Sequence, residues 1–191
     1  MEKKPHGGSN PLLEELSSIP GAERVRLCIQ CGSCTASCPN ADKMQYAPRQ
    51  LIAMARAGMR DEVLSANSMW YCASCYLCTV RCPRDIKPTE LMHALECISA
   101  KQRMSNPKVR TPVMYKTFAH FVYSTGYVPE ARFMALYYFA TNPLNAIKMI
   151  PTALSMVRHG RLSIKAERMK PEAERQLKAI LDKAKELGGA S

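Results

Sequence analysis

The sequence lacks the marks of an exported or membrane-embedded protein. MEKKPHGGSNPLLEEL holds no apolar run after its lysines, so no export signal is read there. The most apolar region, residues 133–157 (FMALYYFATNPLNAIKMIPTALSMV), is interrupted by Asn142, Pro143, Asn145, Lys148 and Pro151. A spanning helix needs about 20 mostly apolar residues, so this region reads as a buried or partner-facing helical segment. No strand is expected, because β-branched residues are scattered and short runs alternate poorly. A nucleophile elbow, a phosphate loop, a dinucleotide fingerprint and a paired-carboxylate motif are all missing. The histidines His6, His93, His120 and His159 are dispersed, none at ligand spacing to another, and read as surface or packing residues. No helix-turn-helix or RNA-binding signature accompanies the formal charge of +11, and nucleic acid is not an expected partner. The expectation is a cytoplasmic chain that performs no bond-breaking chemistry alone.

What the sequence does have is cysteine, nine among 191 residues. Clustered thiols in a cytoplasmic chain more often bind metal than form disulfides. Eight fall in two runs, CIQCGSCTASCP (Cys28 to Pro39) and CASCYLCTVRCP (Cys72 to Pro83), both C-x2-C-x2-C-x3-C-P. Three thiolates spaced two residues apart wrap one face of an iron–sulfur cluster. The fourth cysteine of such a run, followed by proline, ligates the other cluster in two-cluster ferredoxins. The expected ligands are therefore Cys28, Cys31, Cys34 and Cys82 for one 4Fe-4S cluster, and Cys72, Cys75, Cys78 and Cys38 for the other. Pro39 and Pro83 turn the chain away. Gly32 and the small Ser33, Ala73 and Ser74 let backbone N–H groups approach the sulfides, which raises the reduction potential. Zinc sites favour two separated C-x2-C pairs with four ligands in all, which these runs do not resemble. Cys97, outside both runs, reads as a small, partly buried helical residue. Each cluster with four thiolates carries about 2−, so two would leave a net charge of about +7, and much of the basicity balances the cofactors.

Asn10 and Pro11 mark a first helix, with Asn10 as its cap. Pro48 opens a second and Gly58 ends it; a short helix covers residues 61–66. Pro88 opens another, with Leu91, Leu95 and Ile98 on one face. Thr111 and Pro112 begin the next, which Gly126 ends. Further helices are expected to start at Pro129, Pro143 and Pro151. The last, PEAERQLKAILDKAKEL, carries an apolar stripe at Leu177, Ile180, Leu181 and Ala184. The fold class is all-α: residues 1–19 a tail and short helix, residues 20–104 a two-cluster α-helical ferredoxin domain, residues 105–191 a helical C-terminal region. The 44-residue separation of Cys28 from Cys72, bridged by helix, favours an all-helical ferredoxin. All four phenylalanines (118, 121, 133, 139) and five tyrosines (115, 123, 127, 137, 138) fall between Thr111 and Ala140, as an aromatic core or a docking surface.

WYCASCYLCTVRCPRDI together with CIQCGSCTASCP resembles the small iron–sulfur component, the C subunit, of heterodisulfide reductases and heterodisulfide-reductase-like complexes. Trp70 and Tyr71 before Cys72, Tyr76 inside the run, and Arg84 and Asp85 after Cys82-Pro83 carry the likeness. The resemblance implies an electron-transfer subunit of an oxidoreductase complex of sulfur metabolism. It would relay single electrons through two 4Fe-4S clusters between a flavin- and cluster-bearing A subunit and a catalytic, disulfide-active B subunit. The C-terminal region looks more like the type found in sulfur oxidisers than that of methanogens and sulfate reducers. Two alternatives stand beside this reading. One is the iron–sulfur subunit of another oxidoreductase, of the glycolate, lactate, glycerol-3-phosphate or fumarate type. The other is a cluster-containing sensor or nucleic-acid-binding protein.

Overall fold

The computed structural model describes residues 10–162 and 169–187. Among these residues there is no strand. The chain divides into two compact units, Met1–Val109 and Arg110–Ser191.

The first unit is built on helices that proline starts. Proline has no N–H to leave unsatisfied at the first helical position, and its fixed φ suits the first turn. Pro11, Pro48 and Pro88 thus open α1 (Pro11–Ser17), α3 (Pro48–Arg56) and α6 (Pro88–Lys101). Between them lie the single turns α2 (Ser33–Ala36) and α5 (Leu77–Val80) and the short α4 (Arg60–Ser65). Two 3-10 turns, Glu23–Leu27 and Met69–Tyr71, lead into Cys28 and Cys72.

Leu12, Leu16, Val25, Leu51, Ile52, Val63, Leu64, Met69, Leu91 and Leu95 fill the centre of this unit. Each such aliphatic side chain contributes about 1.5–3 kcal/mol on burial. The expected face of α6, Leu91, Leu95 and Ile98, is buried. α1 belongs to the same core through Leu12, Leu13 and Leu16. Asn10 ties it there: its Oδ1 accepts the Leu13 N–H at 3.1 Å while its Nδ2 donates to the Ala55 carbonyl at 3.0 Å, at the end of α3. A buried Ser99 hydroxyl donates to the Leu64 carbonyl at 2.7 Å and joins α6 to α4.

The second unit comprises α7 (Thr111–Thr125), α8 (Glu130–Thr141), α9 (Pro143–Arg158) and α10 (Pro171–Glu186). Gly126 ends α7 at φ +75, as glycine after a helix commonly does. Pro129 caps α8 from outside rather than opening it. Pro151 does not start a helix; it lies inside α9, which runs unbroken from Pro143. The proline forgoes one backbone hydrogen bond there without ending the helix. No residue of α8 or α9 is fully buried. On α10, Leu177 and Leu181 are half-buried, while Ile180 and Ala184 face outward. No helix among the described residues is long and apolar enough to cross a membrane.

Candidate metal centre

The two cysteine runs fold as copies of one another. Each residue of the first has its counterpart 44 positions on, Cys28 with Cys72. Cys28 and Cys72 leave their 3-10 turns with φ/ψ of −63/120 and −67/120. Two residues on, Gln30 and Ser74 both take left-handed φ, 59 and 50. Two further on, Gly32 and Tyr76 do the same at 86 and 60, immediately before α2 and α5. Such a path winds the chain tightly enough to aim three cysteines inward. Tyrosine bears a steric cost at this position that glycine does not.

The copies then exchange helix starts with the rest of the fold. The Thr35 hydroxyl accepts the Arg49 N–H at 2.9 Å, and its counterpart Thr79 accepts the Thr89 N–H at 3.4 Å. Arg49 and Thr89 are the second residues of α3 and α6, so each run supplies the cap that Ala47 and Lys87 do not.

Two recesses result, of similar empty volume, about 360 and 390 Å3 including the space open to solvent. Cys28, Cys31, Cys34 and Cys82 line the first, beside Gly32 and Ser33. Cys38, Cys72, Cys75 and Cys78 line the second, beside Ala73. The structure thus brings the fourth cysteine of each run to the recess of the other. Their walls also correspond. Arg49, Ile52, Pro83, Arg84 and Pro88 of the first stand where Thr89, Met92, Pro39, Asn40 and Pro48 stand in the second.

Backbone N–H groups approach the thiols at both sites: Ser33 at Cys31, Thr35 at Cys34, Asn40 at Cys38 and Ser74 at Cys72. The Ile86 N–H donates to Cys82 Sγ at 3.3 Å. Gln30 Nε2 lies 3.4 Å from Cys28 Sγ, and the Thr89 hydroxyl 3.4 Å from Cys78 Sγ. The Ser74 side chain turns away to His93 Nε2 at 2.8 Å. Sequence reasoning missed Gln30, Thr35, Asn40, Ile86 and Thr89. For Gln30, Thr35 and Thr89 the only signal was adjacency to a cysteine or to a helix-opening proline; Asn40 and Ile86 carried none.

Burial pushes the Cys34 thiol up to about 11, against the pull of the Thr35 N–H, and a charge on Cys28 or Cys78 pushes it the same way. Burial likewise raises Cys38 and Cys72. The Ser33 hydroxyl and N–H lower Cys31. Thiols held protonated in this way must release protons when they bind metal. Cys97 lines neither recess. It is exposed on α6 rather than partly buried as expected, although partial desolvation and then Glu96 raise its thiol. Among the described residues, no three His, Cys, Asp or Glu side chains converge as closely as one metal ion requires. Four thiols line each recess with no His, Asp or Glu beside them, a donor set that fits a 4Fe-4S cluster.

The family model described as a 4Fe-4S dicluster domain matches residues 24–86, the stretch that holds both cysteine runs. More particularly, the chain is similar to proteins named as C subunits of heterodisulfide reductases, as its cysteine runs suggested. It is 37% identical over 120 residues to the C2 subunit of an H(2)/formate:CoB-CoM heterodisulfide,ferredoxin reductase of Methanococcus maripaludis, covering 61% of this chain and 65% of that one. To the C subunit of an H(2):CoB-CoM heterodisulfide,ferredoxin reductase of Methanothermobacter thermautotrophicus it is 35% identical over 121 residues, 63% of this chain and 62% of the relative. To the iron-sulfur C subunit of a CoB--CoM heterodisulfide reductase of Methanopyrus kandleri it is 38% identical over 101 residues, 49% of this chain and 53% of the relative. The chain spans less than two thirds of the length of these relatives.

Proposed function

We propose that each recess holds one 4Fe-4S cluster and that the chain is a two-cluster α-helical ferredoxin, the electron relay of a heterodisulfide reductase or a heterodisulfide-reductase-like complex. Cys28, Cys31, Cys34 and Cys82 ligate one cluster; Cys72, Cys75, Cys78 and Cys38 ligate the other. The observation that carries the reading is the pair of recesses, each walled by three cysteines of one run and the fourth of the other. Bound there, such clusters supply one-electron redox chemistry. The chain's own residues keep the sites in place and close together: a charge on Cys78 is felt at Cys34, across the junction of the two recesses. With the eight thiols of the runs used as ligands, this reading assigns substrate chemistry to a partner.

The partners are a flavin- and cluster-bearing A subunit and a disulfide-active B subunit, in the cytoplasm. The names of the relatives, C subunits of heterodisulfide,ferredoxin reductases, support the presence of partner subunits. The second unit, residues 105–191 by sequence, is the docking region. Of its nine clustered aromatics only Phe121 is buried, while Phe118 and Phe139 stay more than half exposed. Apolar surface of this extent marks an interface.

Metal analysis and pull-down test the proposal together. Anaerobically purified chain should carry about eight irons and eight sulfides, and should capture a flavoprotein and a cysteine-rich protein from the same cells. Four or fewer irons in fully reconstituted protein would refute the two-cluster assignment; partners of another oxidoreductase class would refute the complex.

A further inference from the structure

The two recesses share a backbone but not a charge environment. The first is lined by Arg49 and Arg84, where the second has Thr89 and Asn40; no charged residue lines the second. The Arg49 side chain runs across the first run, its Cδ 3.7 Å from a Cβ built on Gly32. A third position repeats the contrast. Arg56 on α3 donates to the Cys28 carbonyl at 2.5 Å. Its counterpart 40 positions on is Glu96 on α6, whose charge acts on Cys72. Asp42 adds a second negative charge at Cys38. The opposing group is Arg81, which reaches the Ser37 hydroxyl next to Cys38 at 3.4 Å. Hydrogen bonds lean the same way as the arginines. At the first site the Gln30 amide reaches Cys28, the Ser33 hydroxyl lies 3.4 Å from Cys31 and the Ile86 N–H donates to Cys82. At the second the Thr89 hydroxyl lies beside Cys78, and Ser74, the counterpart of Gln30, turns to His93.

We infer that the paired sites are redox-unequal: the site of Cys28, Cys31, Cys34 and Cys82 has the higher reduction potential, and a single electron on the chain rests there. The inference rests on the two-cluster reading above. Adding one electron takes a site from about 2− to about 3−, with no proton moved and no bond made or broken. Cations beside the site stabilise the added charge, anions oppose it, and hydrogen bonds to sulfur raise the potential. Arg49 and Arg84 at the first recess, where the second has neutral Thr89 and Asn40, decide the order. The Glu96 carboxylate adds to it at pH 8, above the value of about 7 to which burial pushes its carboxyl. Both arginines are solvent-exposed, so salt weakens their effect.

The test is an anaerobic potentiometric titration of the intact, cluster-loaded chain, followed by EPR at pH 8 and low ionic strength. The wild type should show two one-electron steps separated by at least tenfold in occupancy, about 59 mV for a one-electron couple. The double variant Arg49→Thr/Arg84→Asn writes the residues of the second recess into the first; it should lower the upper step alone and bring the ratio below threefold. Glu96→Gln should raise only the lower step. Arg84→Lys, which keeps the charge, should leave the separation in place, and added salt should narrow it. Wild-type steps within threefold of each other, or a double variant that shifts the lower step, would overturn the inference. If the double variant loses iron, Glu96→Gln decides: a shift of the upper step contradicts the assignment. Iron content, measured separately, reports on the two-cluster reading itself.

Discussion

At position 21 the backbone adopts φ +90, and a Cβ placed there would lie 2.8 Å from the Glu90 Cβ. That neighbour is held by the backbone of α6 and cannot swing aside. Gly21→Ala should therefore destabilise the protein by about 1–2 kcal/mol for the left-handed backbone alone, and more for the displaced helix. Anaerobic chemical denaturation of the loaded chain measures this; an unchanged midpoint would show that the turn relaxes freely. Residue-scale features of this kind divide by how visible they are in sequence. Gly32 announces its left-handed conformation, since glycine tolerates it. Gln30, Ser74 and Tyr76 adopt the same conformation with no glycine to mark them. The winding of the chain around its thiols sets those angles, so they follow from tertiary structure rather than local preference. The grouping of the cysteines, by contrast, was expected from their spacing, and the thiols so grouped line the same recess. Gln30, Asn40 and Ile86 were not expected, because they reach sulfur through side-chain choice and turn geometry.

Elements starting at proline were legible, because proline at the first helical position carries a local physical reason. Pro11, Pro48, Pro88, Pro143 and Pro171 each open a helix. Pro151 failed by the same logic: a proline inside an apolar helix costs one hydrogen bond, and the residues on either side continue the helix around it. The caps of α3 and α6 were hidden for a different reason, since Thr35 and Thr79 lie 14 and 10 residues from the N–H groups they accept. Thr35→Val and Thr79→Val keep shape and remove the acceptor. Each should cost about 1 kcal/mol, read as a lowered thermal midpoint with iron content retained. Leu95→Ala, at the centre of the core, should cost about 2–5 kcal/mol by leaving a cavity. Caps that proved costlier than this core truncation would mean that the runs, not the apolar core, hold the first unit together.

For the whole molecule, the division into two units separates a part that holds both cysteine runs from a helical part with much exposed apolar surface. A relay of this kind should exchange electrons with artificial dyes yet reduce no disulfide without partners. Robust disulfide reduction by the purified chain alone would contradict the proposed relay role. The proposed docking also predicts an electrostatic component. The stretch KQRMSNPKVR, residues 101–110, contains no acid, and Lys101, Arg103, Lys108 and Arg110 are all exposed. Reversing these four charges together should slow association with an acidic partner and flatten its salt dependence, because rim charges act mainly on encounter rates. Stopped-flow binding at low salt checks it; unchanged kinetics would assign those cations to solvent.

The central claim is crossed ligation, and the EPR spectrum of Cys38→Ser tests it most directly. Serine replaces a soft thiolate with a harder, poorer ligand, so the cluster that Cys38 serves should degrade or be lost. Cys31→Ser and Cys75→Ser provide references, each marking one site from within a single run. If Cys38 reaches across to the recess of Cys72, Cys75 and Cys78, its variant should reproduce the spectrum of Cys75→Ser, and Cys82→Ser should reproduce that of Cys31→Ser. A Cys38→Ser spectrum that matches Cys31→Ser instead would mean that each run holds its own cluster, which contradicts crossed ligation at both sites.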